Sequence, residues 1–115
     1  MSDDLDQFEF IKNRIDLFLE ERNWKKYHTP KNLAMSIAIE SSELMELFQW
    51  EDPPVEEVIS NLNLFEKTKD ELADIIIYSI SLAKSLNIDL FECIIKKIDK
   101  NTQRFPATNK KRTKQ

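Results

Sequence analysis

The chain has 115 residues, of which 41% are apolar and 33% charged, with a formal net charge of −4. That length and composition describe one globular domain and exclude a disordered or collagen-like chain. No apolar run approaches the roughly 18 residues a membrane span needs, and a single cysteine, Cys93, excludes an internal disulfide framework and a multi-cysteine zinc site. The acidic opening Met-Ser-Asp-Asp-Leu-Asp has no apolar stretch of the secretory kind, so a reducing, cytoplasmic setting is expected. The charge is unevenly placed: residues 1–103 carry 12 basic and 21 acidic side chains, whereas residues 104–115 carry Arg104, Lys110, Lys111, Arg112 and Lys114 and no acid. An acidic body argues against duplex nucleic acid as the main partner, because that binding depends on neutralising phosphates.

Glycine is absent. Glycine-rich phosphate loops are therefore excluded, and any phosphate chemistry must rely on side chains and metal. Along the chain, Leu5, Phe8, Ile11, Ile15, Phe18 and Leu19 recur at helical spacing, which predicts a first helix over residues 5–24. After a break, Thr29-Pro30 reads as an N-cap followed by proline at the first helical position, opening a second helix over 30–50 that stops before Pro53-Pro54. Residues 53–62 read as a linker with one short helical turn. A third helix spans 64–86, with Asn87 as a left-handed cap in place of glycine. Asp89 caps a fourth helix reaching residue 103, and Pro106 ends the fold. The expected organisation is an all-α domain over 1–106 and a basic tail over 107–115.

Two motifs carry chemistry. Glu40-Ser-Ser-Glu43 lies on the second helix and Glu71-Leu-Ala-Asp74 on the third. Positions i and i+3 share a helix face, so each motif presents paired carboxylates. Glu40 is in register with Leu33, Ile37, Leu44 and Leu47, and Glu71 with Leu64, Ile75, Tyr78 and Leu82. Acids on an apolar stripe are costly unless a cation compensates them, and four converging carboxylates suit a hard, oxygen-liking cation. The competing reading is a pair of solvated helix faces. A di-iron carboxylate bundle fits poorly, because it needs Glu-x-x-His motifs and the only histidine, His28, precedes the second helix.

At these residues the sequence resembles the MazG-like all-α nucleoside triphosphate pyrophosphohydrolases, in their dCTP pyrophosphatase branch. The matching text runs through Phe18-Leu-Glu-Glu-Arg-Asn-Trp24, Tyr27-His-Thr-Pro-Lys-Asn-Leu33 and Ala38-Ile-Glu-Ser-Ser-Glu-Leu-Met-Glu-Leu-Phe-Gln-Trp50. It resumes at Asp70-Glu-Leu-Ala-Asp-Ile-Ile-Ile-Tyr78 and continues to Ile88-Asp-Leu90, Lys97, Asn101 and Phe105-Pro106. The resemblance implies a four-helix fold and hydrolysis of the α–β phosphate bond to a monophosphate and pyrophosphate. It implies Mg2+, with Mn2+ able to substitute, on Glu40, Glu43, Glu71 and Asp74, and Glu40 or Glu43 as the proton acceptor. Trp24 and Trp50 are implied to hold the base, His28 and Asn101 to lie near the nucleotide, Tyr78 beside the sugar, and Lys31 and Lys97 near the phosphates. Ile39, Ser41 and Ser42 stand where that branch carries glycines and valine around the two glutamates, and Lys31 where it carries arginine.

Self-association as a dimer or tetramer is expected as well, because the outer stripes of the second and third helices need apolar cover. Two other readings stand beside the enzyme: a non-catalytic helical oligomerisation module, and a nucleotide sensor that binds without hydrolysis.

Overall fold

The computed structural model describes residues 3–107, with the side chains of residues 3–6 left aside; most of the basic tail, residues 108–115, lies outside the described residues. Among the described residues five α-helices follow one another: α1 (Asp3–Glu21), α2 (Pro30–Leu47), α3 (Val55–Ser60), α4 (Leu62–Ser85) and α5 (Leu90–Arg104), with a 3₁₀ turn at Lys25–Tyr27. Among the described residues there is no strand, so the all-α expectation holds. The short helical turn expected in the linker is α3, which adds a fifth helix to the four longer ones among the described residues. Its first turn carries Glu56 and Glu57, which favour the positive end of a helix dipole. Asn61 ends α3 and caps α4, its side chain accepting from the Leu64 N–H at 3.1 Å.

The other caps follow the chain's chemistry. Thr29 Oγ1 accepts from the Asn32 N–H at 3.2 Å, and the Asp89 carboxylate accepts from the Glu92 N–H at 3.1 Å. Without glycine, the two left-handed positions fall to asparagines: Asn23 and Asn87 both have φ of 57°. Each closes a Schellman motif. Trp24 N–H donates to Leu19 O at 2.9 Å and Asn23 N–H to Glu20 O at 3.0 Å; Ile88 and Asn87 repeat the pattern on Ala83 and Lys84. The motif at Asn23 explains why α1 stops at Glu21, short of the expected residue 24. At the other boundary Phe48 already leaves helical geometry, with φ of −119° and ψ of 16°. Trp50 therefore stands in the connection beyond α2.

The helices α2 and α4 pack along their length. They run antiparallel, since His28 meets Tyr78 at one end while Glu40 meets Glu71 near the middle. α3 folds back on α4, and α1 crosses α4 near its C-terminal end. The core sits at that crossing, where Leu19, Leu33, Ile80 and Ala83 are buried and Leu33 is 1% exposed. Burying a leucine fully stabilises by roughly 1.5–3 kcal/mol. Asp16 ties the crossing from outside, accepting from Lys25 at 2.8 Å and facing Lys84 at 3.5 Å. The Lys25 ammonium holds the Asp16 carboxyl below its ordinary value. α5 packs only marginally on the rest of the chain, chiefly where Phe91 meets Phe8 at 4.4 Å between ring centroids.

The asparagine caps make a stability prediction. Asn87→Ala puts a Cβ-bearing residue without a local polar side chain at positive φ, and should destabilise by about 1 kcal/mol. Asn87→Gly should be at least as stable as the natural chain. Urea unfolding followed by circular dichroism, at one fixed protein concentration, checks the order Gly, Asn, Ala.

Candidate active site

The carboxylates converge where α2 and α4 run side by side. One oxygen from each of Glu40, Glu43 and Glu71 lies within 4.8 Å of the others. Glu40 and Glu71 are half-buried, whereas Glu43 is exposed. Helical spacing brings them together: Glu40 and Glu43 are one turn apart on α2, and Glu71 is one turn from Asp74 on α4. Asp74 stands outside the tight trio but close enough that its charge raises the proton affinity of both Glu43 and Glu71.

The electrostatics are those of crowded like charges. The Glu43 carboxyl is raised above its ordinary 4.5 first by the charge of Glu71, then by partial desolvation, with Glu46 and Asp74 adding to it. Glu71 is raised first by hydrogen bonding with Glu40, then by desolvation and by the Glu40 charge. That hydrogen bond requires one carboxyl to keep a proton. With all three ionised no donor exists, and Glu71 Oε1 is buried without a hydrogen-bond partner. A buried acceptor lacking a donor and surrounded by further acceptors fits a hard cation with oxygen ligands.

Beside the cluster lies a cleft of about 420 Å³ whose lining includes Arg14, Phe18, Trp24, His28, Asp74 and Tyr78. Phe18 and Trp24 meet edge to face, with centroids 5.8 Å apart, and the Arg22 guanidinium stands 3.8 Å from the Phe18 ring centroid. His28 and Tyr78 lie 6.2 Å apart across the α2–α4 seam. His28 Nδ1 is buried and has no hydrogen-bond partner in the chain. The cleft thus offers aromatic faces and an unpaired polar ring atom, and Asp74 belongs both to its wall and to the surroundings of the carboxylates.

The residues expected from sequence divide clearly. Glu40, Glu43 and Glu71 cluster with Asp74 beside them, and Trp24, His28 and Tyr78 share the cleft. Trp50 does not join them. It is 85% exposed and lies past the far end of α2 from Trp24. An 18-residue helix between them is about 27 Å long, so one chain cannot close both tryptophans on one base. Lys31 is exposed in the first turn of α2, while Lys97 and Asn101 are exposed on α5; none of the three lines the cleft. Arg14, Ser81 and Ile77 line it without having been singled out. Arg14 is one turn from Phe18, the only sequence signal that pointed to it. Glu46, one turn beyond Glu43, was likewise hidden among ordinary surface acids.

Fold and site together define an all-helical protein with a carboxylate cluster whose neighbour Asp74 lines an aromatic cleft. The MazG-like family matches residues 35–115, and the chain belongs to that family. It is 36% identical over 99 residues to mouse dCTP pyrophosphatase 1 and 36% identical over 92 residues to the human protein of the same name. Each match covers 78% of this chain and 54% of the relative, so the chain spans about half the length of the curated relatives it matches. A solved pyrophosphatase from Archaeoglobus fulgidus superposes with a TM-score of 0.79 at 37% identity, over 88% of this chain and 94% of that one.

The raised carboxyls have a thermodynamic consequence. Folded-state proton affinities above the ordinary value contribute stability that is complete below pH 4.5 and lost as pH rises through the folded-state values. At neutral pH the cation-free cluster therefore opposes folding. Glu43→Gln should raise the melting temperature of cation-free protein at about pH 7, with the gain vanishing towards about pH 4. The same variant should lose most of the stabilisation that a divalent cation confers on the natural chain. Scanning calorimetry with chelator and with added cation measures both.

Proposed function

We propose that the protein is a Mg2+-dependent hydrolase, also served by Mn2+, that splits the α–β phosphate bond of a deoxynucleoside triphosphate of the dCTP type. The observation that carries this reading is Asp74, shared between the aromatic cleft and the carboxylate cluster. A base seated in that cleft has its phosphates directed towards the acids. The names of the relatives agree with this reading.

Glu40, Glu43, Glu71 and Asp74 would hold the metal, an all-oxygen set that suits hard cations over zinc. When bound, the cation neutralises phosphate charge and lowers the pKa of the attacking water. Glu40 or Glu43 takes the proton of that water as it attacks the phosphorus; the bridging oxygen leaves with pyrophosphate. Trp24 and Phe18 present aromatic edges and faces to the base, which give affinity to any base. Selectivity falls to polar groups, with His28 placed to read one. Tyr78 lies beside the sugar and offers a 2′-hydroxyl no assured partner. Burying that hydroxyl unpaired costs on the order of 1–3 kcal/mol.

Trp50, Lys31, Lys97 and Asn101 enter this reading through self-association as a dimer or tetramer. Met45, Leu72, Ile76 and Trp50 are 67%, 49%, 53% and 85% exposed, and a second copy would cover such surface. No helix of the described residues is long and apolar enough to cross a membrane, and the composition agrees with a cytoplasmic enzyme.

Pyrophosphate release across the common NTPs and dNTPs, with Mg2+ present or chelated, tests the reading. Turnover should vanish on chelation, and Glu71→Ala should lower kcat/KM on the order of 10²–10³-fold with helicity retained. No turnover with any nucleotide would sink it. The sugar contact has its own check. The natural chain should favour dCTP over CTP by about ten- to hundredfold in kcat/KM, and Tyr78→Ala should narrow that ratio. Equal use of the two nucleotides removes Tyr78 from the sugar.

A further inference from the structure

Among the described residues, Arg14 is the one arginine or lysine on the walls of the aromatic cleft, where it stands with Phe18, Trp24, Ile77 and Tyr78. The basic residues around it are paired. Lys12 faces Glu9 at 3.3 Å, Lys25 faces Asp16 at 2.8 Å and Glu20 at 3.2 Å, Lys84 faces Asp16 at 3.5 Å, and Arg22 faces Glu21 at 3.7 Å. No acid among the described residues pairs with Arg14, whose guanidinium stands 5.8 Å from the Phe10 ring centroid. Its donors are left for a ligand.

The direction of α1 decides which part of a nucleotide Arg14 meets. Phe8 packs on Phe91, past the C-terminal end of α4, and Asp16 faces Lys84 in the last turn of α4. α1 therefore runs antiparallel to α4, and stepping back from Trp24 to Arg14 leads away from Asp74. From Asp74 to Lys84 is ten residues, about 15 Å along the helix. Arg14, two residues before Asp16, stands at the end of the cleft remote from the carboxylates. With the phosphates at the acids, that end receives the base.

We propose that Arg14 selects the base, its guanidinium donating two parallel hydrogen bonds to N3 and O2 of a cytosine. The proposal rests on the dCTP-type reading above and names the group that makes the choice. Aromatic faces cannot make it, since they bind any base. A guanidinium offers adjacent N–H donors in a rigid fork and no acceptor. Cytosine presents two neighbouring acceptors, N3 and O2. Uracil and thymine carry an N–H at position 3, so a donor faces the fork and one hydrogen bond is lost. Guanine offers the fork O6 and N7 but has no amino group beside that pair. Cytosine carries its N4 amino group next to N3. His28 Nδ1, buried without a partner on the same cleft, accepts an amino hydrogen when the ring proton sits on Nε2.

The test is kcat/KM for pyrophosphate release with dCTP, dUTP and 3-deaza-dCTP, in which C–H replaces N3. The natural chain should favour dCTP over dUTP by about ten- to hundredfold, and should use 3-deaza-dCTP about as poorly as dUTP. Arg14 is exposed, so Arg14→Met leaves the core intact. That variant should lose the same factor with dCTP while its use of dUTP and 3-deaza-dCTP stays close to that of the natural chain. Arg14→Lys should regain only part of the loss, because an ammonium is not a fork. Equal losses with dCTP and dUTP in Arg14→Met, as a grip on phosphate or a purely structural role would give, overturn the assignment. A natural chain that uses dCTP and dUTP alike, prefers dGTP, or accepts 3-deaza-dCTP as it does dCTP also overturns it. Should Arg14→Met fail to fold by circular dichroism, Arg14→Lys carries the same comparison. If no nucleotide is turned over, the enzymatic reading fails by itself, and quenching of tryptophan fluorescence by dCMP and dUMP decides Arg14 separately. The natural chain should then bind dCMP more tightly and Arg14→Met should bind the two alike; equal affinities in the natural chain overturn the proposal.

Discussion

Mutual repulsion of carboxylates at the middle of an antiparallel helix pair is the constraint around which this molecule is built. Glu40, Glu43 and Glu71 lie within 4.8 Å, and Asp74 adds its charge from the next turn. Nothing in the cluster donates a hydrogen bond to Glu71 Oε1 once the acids are ionised. The pair must therefore be held together from its ends. At one end Leu33 and Ile80 are buried under Leu19 of α1; at the other, α3 folds back on α4. Burial at the crossing offsets the repulsion at the middle and keeps the two helix backbones side by side.

The same crossing makes the cleft. α1 lies over the C-terminal part of α4, and the space between its Phe18 and the α2–α4 seam is what Trp24, His28 and Tyr78 surround. Asp16 fixes the angle by facing Lys25 from the 3₁₀ turn and Lys84 from α4. These are partly exposed ion pairs, worth a few tenths to about 1 kcal/mol each. Their value is geometric: they join three segments of chain at one carboxylate. The Schellman motif at Asn23 sets the direction in which the chain leaves α1, and so places Trp24 against Phe18 instead of continuing the helix outward.

A chain with so few buried side chains has an unusual surface. Apolar residues that would form the second layer of a core, among them Leu72, Ile76, Met45 and, on α5, Ile94, Ile95 and Ile98, face outward. Their arrangement is not random. Leu72 and Ile76 continue along α4 the stripe that is buried further on at Ile80 and Ala83. Residues 1–89 carry nine basic and 19 acidic side chains, whereas residues 90–115 carry eight basic and two acidic, so the surface is also divided in charge.

Much of this was legible from residue types and spacing. Proline after threonine, aspartate before leucine and asparagine in a glycine-free chain mark helix ends because caps are local chemistry, decided within four residues. The i, i+3 pairs Glu40–Glu43 and Glu71–Asp74 reveal a shared helix face for the same reason. Less was legible where a local rule met a distant demand. α1 ended three residues early at its left-handed asparagine, and α2 stopped at Leu47, short of Trp50. Which residues meet was decided only by tertiary structure. Periodicity shows Phe18 and Arg14 facing one way on α1 but cannot say that the facing wall holds Tyr78 and Asp74. Helix periodicity is a property of one segment, whereas a site is a set of distances between segments. Those distances come from the crossing of α1 over α4 and the antiparallel pairing of α2 with α4.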